Sequence, residues 1–286
     1  MVVQQHRAGG GVRAVRALAV AGVMAAAAGC AGDGGADRAA AAADARDGAV
    51  EVVRRAAVVL AGEGVSSAEV STSMETAAGG TLVTIRGTGA YDFRAGSGRL
   101  KVVLPSDVAG EKEHRPITEL LVPGALYMMN RGAGVPADKW VRIDTTALKD
   151  GNLVTGGVTD PLAAAELLRG AAAVTYVGET ELAGVTVRHY RGTADLGRAA
   201  RLAAPGSRAS LAAAAEGLRA RAVPFDAYLD EEGRLRKVRH RFSFANEGPA
   251  AEVVSTTLLY GFGVPVTVRL PDERDIYTGE IEQGRA

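Results

Sequence analysis

The chain has 286 residues, with 33 Lys and Arg balanced by 33 Asp and Glu, and 47% of it is hydrophobic. Zero net charge argues against broad electrostatic binding to nucleic acid, which needs a basic face to displace counterions. A single cysteine excludes a disulfide framework and any zinc site with two or more thiolates, and four widely spaced histidines leave little for a His-rich site.

The N-terminus carries the strongest local signal. Arg7, Arg13 and Arg16 precede an uncharged run from Ala17 to Ala28, with no acidic residue before Asp33. This is the charged and apolar pattern of a secretory signal, and it is shorter than the ~20 residues a membrane span requires. It ends in Ala27-Ala28-Gly29-Cys30, small residues followed by the only cysteine. The string resembles the lipobox of bacterial lipoproteins, with Ala27 standing where Leu is usual. That resemblance implies a signal peptide over 1–29 and a lipid-modified Cys30 as the mature N-terminus. Two acyl chains anchor stably, each buried CH₂ contributing ~0.8 kcal/mol. Residues 30–47 then read as the acylated Cys and a flexible tether, since their Ala, Gly, Asp and Arg offer no apolar face.

From residue 48 a folded domain is expected, running to 271. Val50, Val53, Ala57, Leu60 and Ala61 recur at helical spacing and stop at Gly62 and Gly64. The pattern then turns to period two. Ser67–Met74 and Leu82–Arg86 read as a hairpin, as do Ala90–Arg94 with Arg99–Leu104, and Ile117–Val122 with Ala125–Asn130. Trp140–Ile143 is a short strand. Asp160 caps a helix that starts at Pro161 and carries Leu162, Ala165, Leu167 and Leu168. Val174–Glu179 pairs with Val185–Thr193, and Leu196–Leu218 forms one or two helices broken at Pro205-Gly206. Phe225–Asp230 and Arg234–Phe244 flank a turn, Glu252–Phe262 and Val266–Leu270 close the strands, and 272–286 is a loose tail. The expected fold class is α+β: a curled antiparallel half-barrel of about eleven strands, with helices covering its concave face, because so many strands do not lie flat.

Four strings carry a wider resemblance. They are Ala137-Asp138-Lys139-Trp140-Val141-Arg142-Ile143-Asp144, Asp160-Pro161-Leu162 through Leu167-Leu168-Arg169-Gly170, Val185-Thr186-Val187-Arg188-His189-Tyr190, and Pro224-Phe225-Asp226-Ala227-Tyr228-Leu229-Asp230-Glu231-Glu232-Gly233. In this order, over roughly 50–270, and behind a lipobox and tether, the chain resembles the actinobacterial LppX/LprAFG lipoproteins with their LolA-like fold. The resemblance implies a carrier or binder of lipids or other apolar molecules at the outer face of the cell membrane, without catalysis and without a cofactor. Its partners would be a lipid or apolar small molecule, the membrane through acylated Cys30, and an envelope protein in the alternative where the same fold serves as sensor or scaffold.

The residues themselves offer no competing chemistry. Ala95-Gly96-Ser97-Gly98 lacks the first glycine of a nucleophile elbow, and Gly87-Thr88-Gly89 lacks the third glycine of a dinucleotide loop. His114, His189 and His240 have no ligand spacing, and Asp230-Glu231-Glu232 sits in a turn where solvated acids are the default. The alternating apolar positions are the candidate cavity lining: Val83, Ile85, Tyr91, Phe93, Leu100, Val102, Leu104, Trp140, Phe242 and Phe244. For each one singly, ordinary core packing is the stronger expectation.

Overall fold

The computed structural model describes residues 34–62, 66–78, 81–105, 115–131, 134–154, 158–218, 221–244 and 251–279. Cys30 and the signal segment lie outside the described residues. Eleven strands are present: β1 (Ser67–Ala78), β2 (Thr81–Asp92), β3 (Ser97–Val103), β4 (Ile117–Val122), β5 (Ala125–Met129), β6 (Trp140–Asp144), β7 (Ala171–Leu182), β8 (Val185–Asp195), β9 (Ala222–Leu229), β10 (Leu235–Phe244) and β11 (Ala251–Tyr260). The helices are α1 (Gly34–Leu60), α2 (Pro161–Leu167), α3 (Leu196–Leu202) and α4 (Pro205–Gly217).

All the strands form one antiparallel sheet in the order β6-β5-β4-β3-β2-β1-β11-β10-β9-β8-β7. The chain meanders from β1 out to the β6 edge, crosses through α2 to the opposite edge at β7, and meanders back. The last strand, β11, pairs with the first, with Val70 opposite Leu259 and Thr72 opposite Thr257. The sheet is open, and the two halves of the sequence meet at its centre. The α+β half-barrel expected from the sequence is the observed architecture.

Register shows what faces inward. One row runs from Ile117 through Val102, Gly87, Thr72, Thr257, Val238 and Ala227 to Tyr190. Gly87 leaves room in this row: a Cβ there would come 2.9 Å from Thr72 Cγ2 and 3.3 Å from Val158 Cγ1. Glycine therefore does not break the strand, and β2 runs unbroken where the sequence suggested two strands on either side of Gly87-Thr88-Gly89.

Two layers of helix cover the concave face. Ala49, Val50, Val53, Ala56, Ala57 and Leu60 of α1 are buried at helical spacing against Val70, Leu100, Phe225 and Val238. At the other end, Leu167, Leu196, Ala199, Leu211 and Ala214 of the three later helices pack with Met74, Phe242 and Val253. Between them residues 150–154 and 158–160 enter the half-barrel, with Leu153, Val158 and Thr159 buried. The Thr159 hydroxyl lies 2.7 Å from the Leu153 carbonyl and 2.6 Å from Ser255 Oγ.

The ends of the domain differ from expectation. Helix α1 starts at Gly34, so helix occupies part of the stretch read as a tether; alanine is the strongest helix former, which the apolar-face criterion ignores. Val266–Leu270 is not a strand, although its burial alternates. After β11 the chain crosses the convex face as a strap. The Ser67 hydroxyl donates to the Val264 carbonyl at 2.7 Å, and the Tyr277 N–H donates to the Trp140 carbonyl at 2.8 Å. Alternation only requires one buried side, whereas a strand also requires ladder hydrogen bonds. Residues 272–279 are thus docked on β6 rather than loose, with Ile276 bridging Trp140.

Candidate functional site

A cavity of about 240 Å³ opens where the β2–β3 and β4–β5 hairpins meet α2 and the start of α4. Its walls are largely apolar: Tyr91, Phe93, Leu121, Pro123, Leu126, Leu162 and Ala163 among them. Alternation in β2 turns Tyr91 inward, and Phe93 follows on the same side with ring centroids 5.2 Å apart. Asp160 sits at the floor because it caps α2, accepting from the Leu162 and Ala163 N–H groups at 2.7 and 3.2 Å. The Tyr91 hydroxyl donates to its other carboxylate oxygen at 3.3 Å. Burial pushes the Asp160 carboxyl above its ordinary range, and burial together with the Asp160 charge pushes the Tyr91 hydroxyl well above its own.

Of the candidate lining residues, Tyr91 and Phe93 reach this cavity. Leu100, Val102 and Phe242 are buried in side-chain packing elsewhere, so they are core. Ile85 is half-buried between the two core clusters, Leu104 packs at the edge of the first, and Val83 is half-buried. The side chain of Phe244 lies outside the described residues. Trp140 is on the convex face, packed with Leu120, Tyr127, Val268 and Ile276 beneath the strap. The correction has one cause. Among the described residues, the helices together with residues 150–154 and 158–160 occupy much of the concavity, and the cavity lies at the rim where the hairpins spread.

Sequence reasoning missed Leu121, Pro123, Asn152, Ala163 and Gly206 as walls. Pro123-Gly124 and Pro205-Gly206 were visible as turn signals, but nothing local tells that two turns 82 residues apart share a space.

The charged residues resolve into structural roles. Asp230 is 1% exposed and receives Arg234 Nε at 2.8 Å and Arg236 Nε at 2.7 Å, so it is an internal ion-pair centre and not a solvated acid. Burial opposes its ionisation, yet the hydrogen bonds from Arg236 and Arg234 hold its carboxyl below the usual range. Glu231 and Glu232 are exposed as expected. His189 bonds Asp226 Oδ1 at 2.8 Å and stacks on Tyr228. His240 is buried beside Phe225 and Phe242 with Nε2 unpartnered, and burial lowers its pKa to about 3. Among the described residues no group of three or more His, Cys, Asp and Glu is placed to hold a metal, and no helix is long and apolar enough to cross a membrane.

Among the described residues, fold and cavity together define an open antiparallel half-barrel, covered by helices, with a small amphipathic pocket at its rim. Solved structures with a similar arrangement include the lipoprotein LppX of Mycobacterium tuberculosis, at 11% identity and a TM-score of 0.43 over 78% of this chain and 99% of that one. LprF from Mycobacterium bovis is similar at 12% identity and a TM-score of 0.40, over 79% and 97% of the two chains. MucB of Pseudomonas aeruginosa, solved in complex with MucA, matches at 13% identity and a TM-score of 0.32, over 81% of this chain and 61% of that one. No protein-family model matches the chain, and no curated protein matches it.

Proposed function

We propose that this protein is a cell-envelope lipoprotein, held at the outer face of the membrane by acylated Cys30, that binds an apolar ligand without transforming it. The observation that carries the reading is the cavity beneath Tyr91 and Phe93, apolar on most of its wall, with a few polar groups at one side. Its volume narrows the ligand. At about 240 Å³ it lies just under the ~300–1,000 Å³ usual for ligand pockets, so it suits a single short chain or a compact ring system, and a two-chain lipid does not fit whole.

The test is native mass spectrometry of the protein purified from a lipid-containing host. A single small adduct is expected, lost in Gly206→Phe, which places a ring at the mouth where a Cβ already has only Pro123 as neighbour, at 3.4 Å. Absence of any adduct, together with no Tm shift from any short-chain probe, refutes ligand binding.

A second reading, a scaffold for another envelope protein, is favoured by one observation. Strand β7 is a 12-residue sheet edge, and it exposes Tyr176 and Val177 at 47% and 51%. An extended segment of a partner could add to that edge. The nearly filled interior is compatible with it.

A further inference from the structure

The convex face of the sheet carries a field of cations. Strand alternation points two neighbouring rows of side chains outward there. One runs through Lys101, Thr88, Ser71, Leu258 and Lys237. The next runs through Val103, Arg86, Ser73, Thr256, Arg239 and Asp226. Asp226 is the one acid in these two runs, and it is buried and engaged by His189 at 2.8 Å, Arg191 at 2.9 Å and Arg241 at 3.5 Å. The acids Glu69, Glu75 and Glu252 of the same face lie in rows outside these two.

Arg86, Arg99 and Lys101 are exposed, Arg239 is half-buried, and none of the four has an ion pair among the described residues. The strap leaves the two rows open, because it passes over the adjoining row at Ala90 and Leu120. Beside it lies a shallow depression of about 450 Å³ lined in part by Thr88, Arg99, Lys101 and Thr118, two cations and two hydroxyls that can all donate to a phosphate. Val103 stands next to Arg86 at 45% exposure, and Leu82 on the same face of β2 is 66% exposed. From β3 to β10 the cations spread over five adjacent strands, about 19 Å at ~4.8 Å per strand. The chain as a whole is neutral, but charges farther off than about 10 Å are screened at 0.1 M salt, so an apposed surface meets this local excess.

We infer that the convex face is a docking surface for an anionic lipid bilayer, with Arg86, Arg99, Lys101, Lys237 and Arg239 against the phosphates and Val103 and Leu82 reaching the headgroup layer. Cations that spread along rows without converging on one point match a negative charge that is itself spread over a plane, and a single compact anion would need them to converge. This rests on the membrane-anchoring part of the reading above and adds which face of the domain meets the membrane. It leaves the cavity, which lies on the concave side, free to take or release a ligand.

The experiment is vesicle co-sedimentation of the chain from residue 30 with Cys30→Ser, which has neither leader nor acyl chain and keeps every described element, since these begin at Gly34. Vesicles of phosphatidylcholine alone are compared with vesicles holding about 30% phosphatidylglycerol. Binding is expected to the anionic vesicles only, and to be lost between about 0.05 and about 0.5 M salt. The triple variant Arg86→Gln, Arg99→Gln, Lys101→Gln should bind on the order of a hundred-fold more weakly, at about five-fold per cation. A control with three exposed cations changed on the helix side, Arg55→Gln, Lys149→Gln and Arg201→Gln, should bind like the parent. Equal binding to both vesicles, no binding to either, a convex-face variant that binds like the parent, or a control that loses as much would each overturn the inference. So would soluble polyglutamate binding to this face where vesicles do not, which would assign it to an acidic protein. None of these outcomes touches the anchoring proposal, which is read from the acylated mass of the Cys30 protein.

Discussion

Glu119 offers the sharpest physical test of the fold. It sits on β4 facing the concave side, opposite Leu100 on one neighbouring strand and Met128 on the other. It is 1% exposed, its Oε1 has no hydrogen-bond partner, and burial raises its pKa from an ordinary 4.5 to about 8, with the Arg131 charge pulling the other way. A carboxyl whose folded pKa is raised costs stability as pH rises. Below the unfolded value both states hold the proton; above it the unfolded chain releases the proton while the folded chain must keep it. The penalty therefore grows from about pH 4.5 and levels off near pH 8. At 1.36 kcal/mol per pKa unit, the folded protein loses about 3 kcal/mol through this residue between pH 5 and pH 8. Glu119→Gln cannot ionise and should lose none of that. Urea denaturation of parent and variant at intervals across this range gives the result directly. Parallel stability curves for the two proteins would show that Glu119 is solvated or paired, and the packing assigned to the inner face of β4 would be wrong.

The filled interior makes Phe242→Ala costly, about 3–5 kcal/mol in chemical denaturation, because the ring is buried against Val253 and the helices; a loss under 1 kcal/mol would mean that open space adjoins it. His240 works on the acid side, since its folded pKa of about 3 lies below the unfolded 6.5, so stability drains as pH falls through that window; His240→Phe should remove about 2 kcal/mol of the loss seen by pH 5, read from the same titrations. Trp140→Ala should free the strap over 264–277, detected as new proteolytic cleavage there with the half-barrel intact. Cys30→Ser should move the protein out of the membrane fraction or leave it on an uncleaved signal, with loss of the acylated mass; a variant still carrying two acyl chains would refute the anchoring proposal.

Much of the fold was legible because its signals are local. Asp160-Pro161 announces a helix start through the chemistry of orphan amides, and the structure shows Asp160 bonding two of them. Val238, His240 and Phe242 share a face because strand geometry has period two, whatever the strand packs against. The turns at Gly96, Gly124 and Gly233 follow from backbones that need positive φ.

What faces what was decided only in three dimensions. Leu100 and Tyr91 carry the same pattern of alternation and both are buried in the core, yet Tyr91 also lines the cavity, because it lies beside the start of α2, where Asp160, Leu162 and Ala163 share that wall. Trp140 points away from the concavity and packs with Leu120 and Tyr127 on the convex face, where the strap arriving more than a hundred residues later adds Val268 and Ile276. Thr159 meets Ser255 across 96 positions of chain, a contact that buries both hydroxyls inside the half-barrel. Periodicity records that a side chain is sheltered; it carries no information about what shelters it. That depends on long-range closure of the chain, which is a property of the whole packed structure.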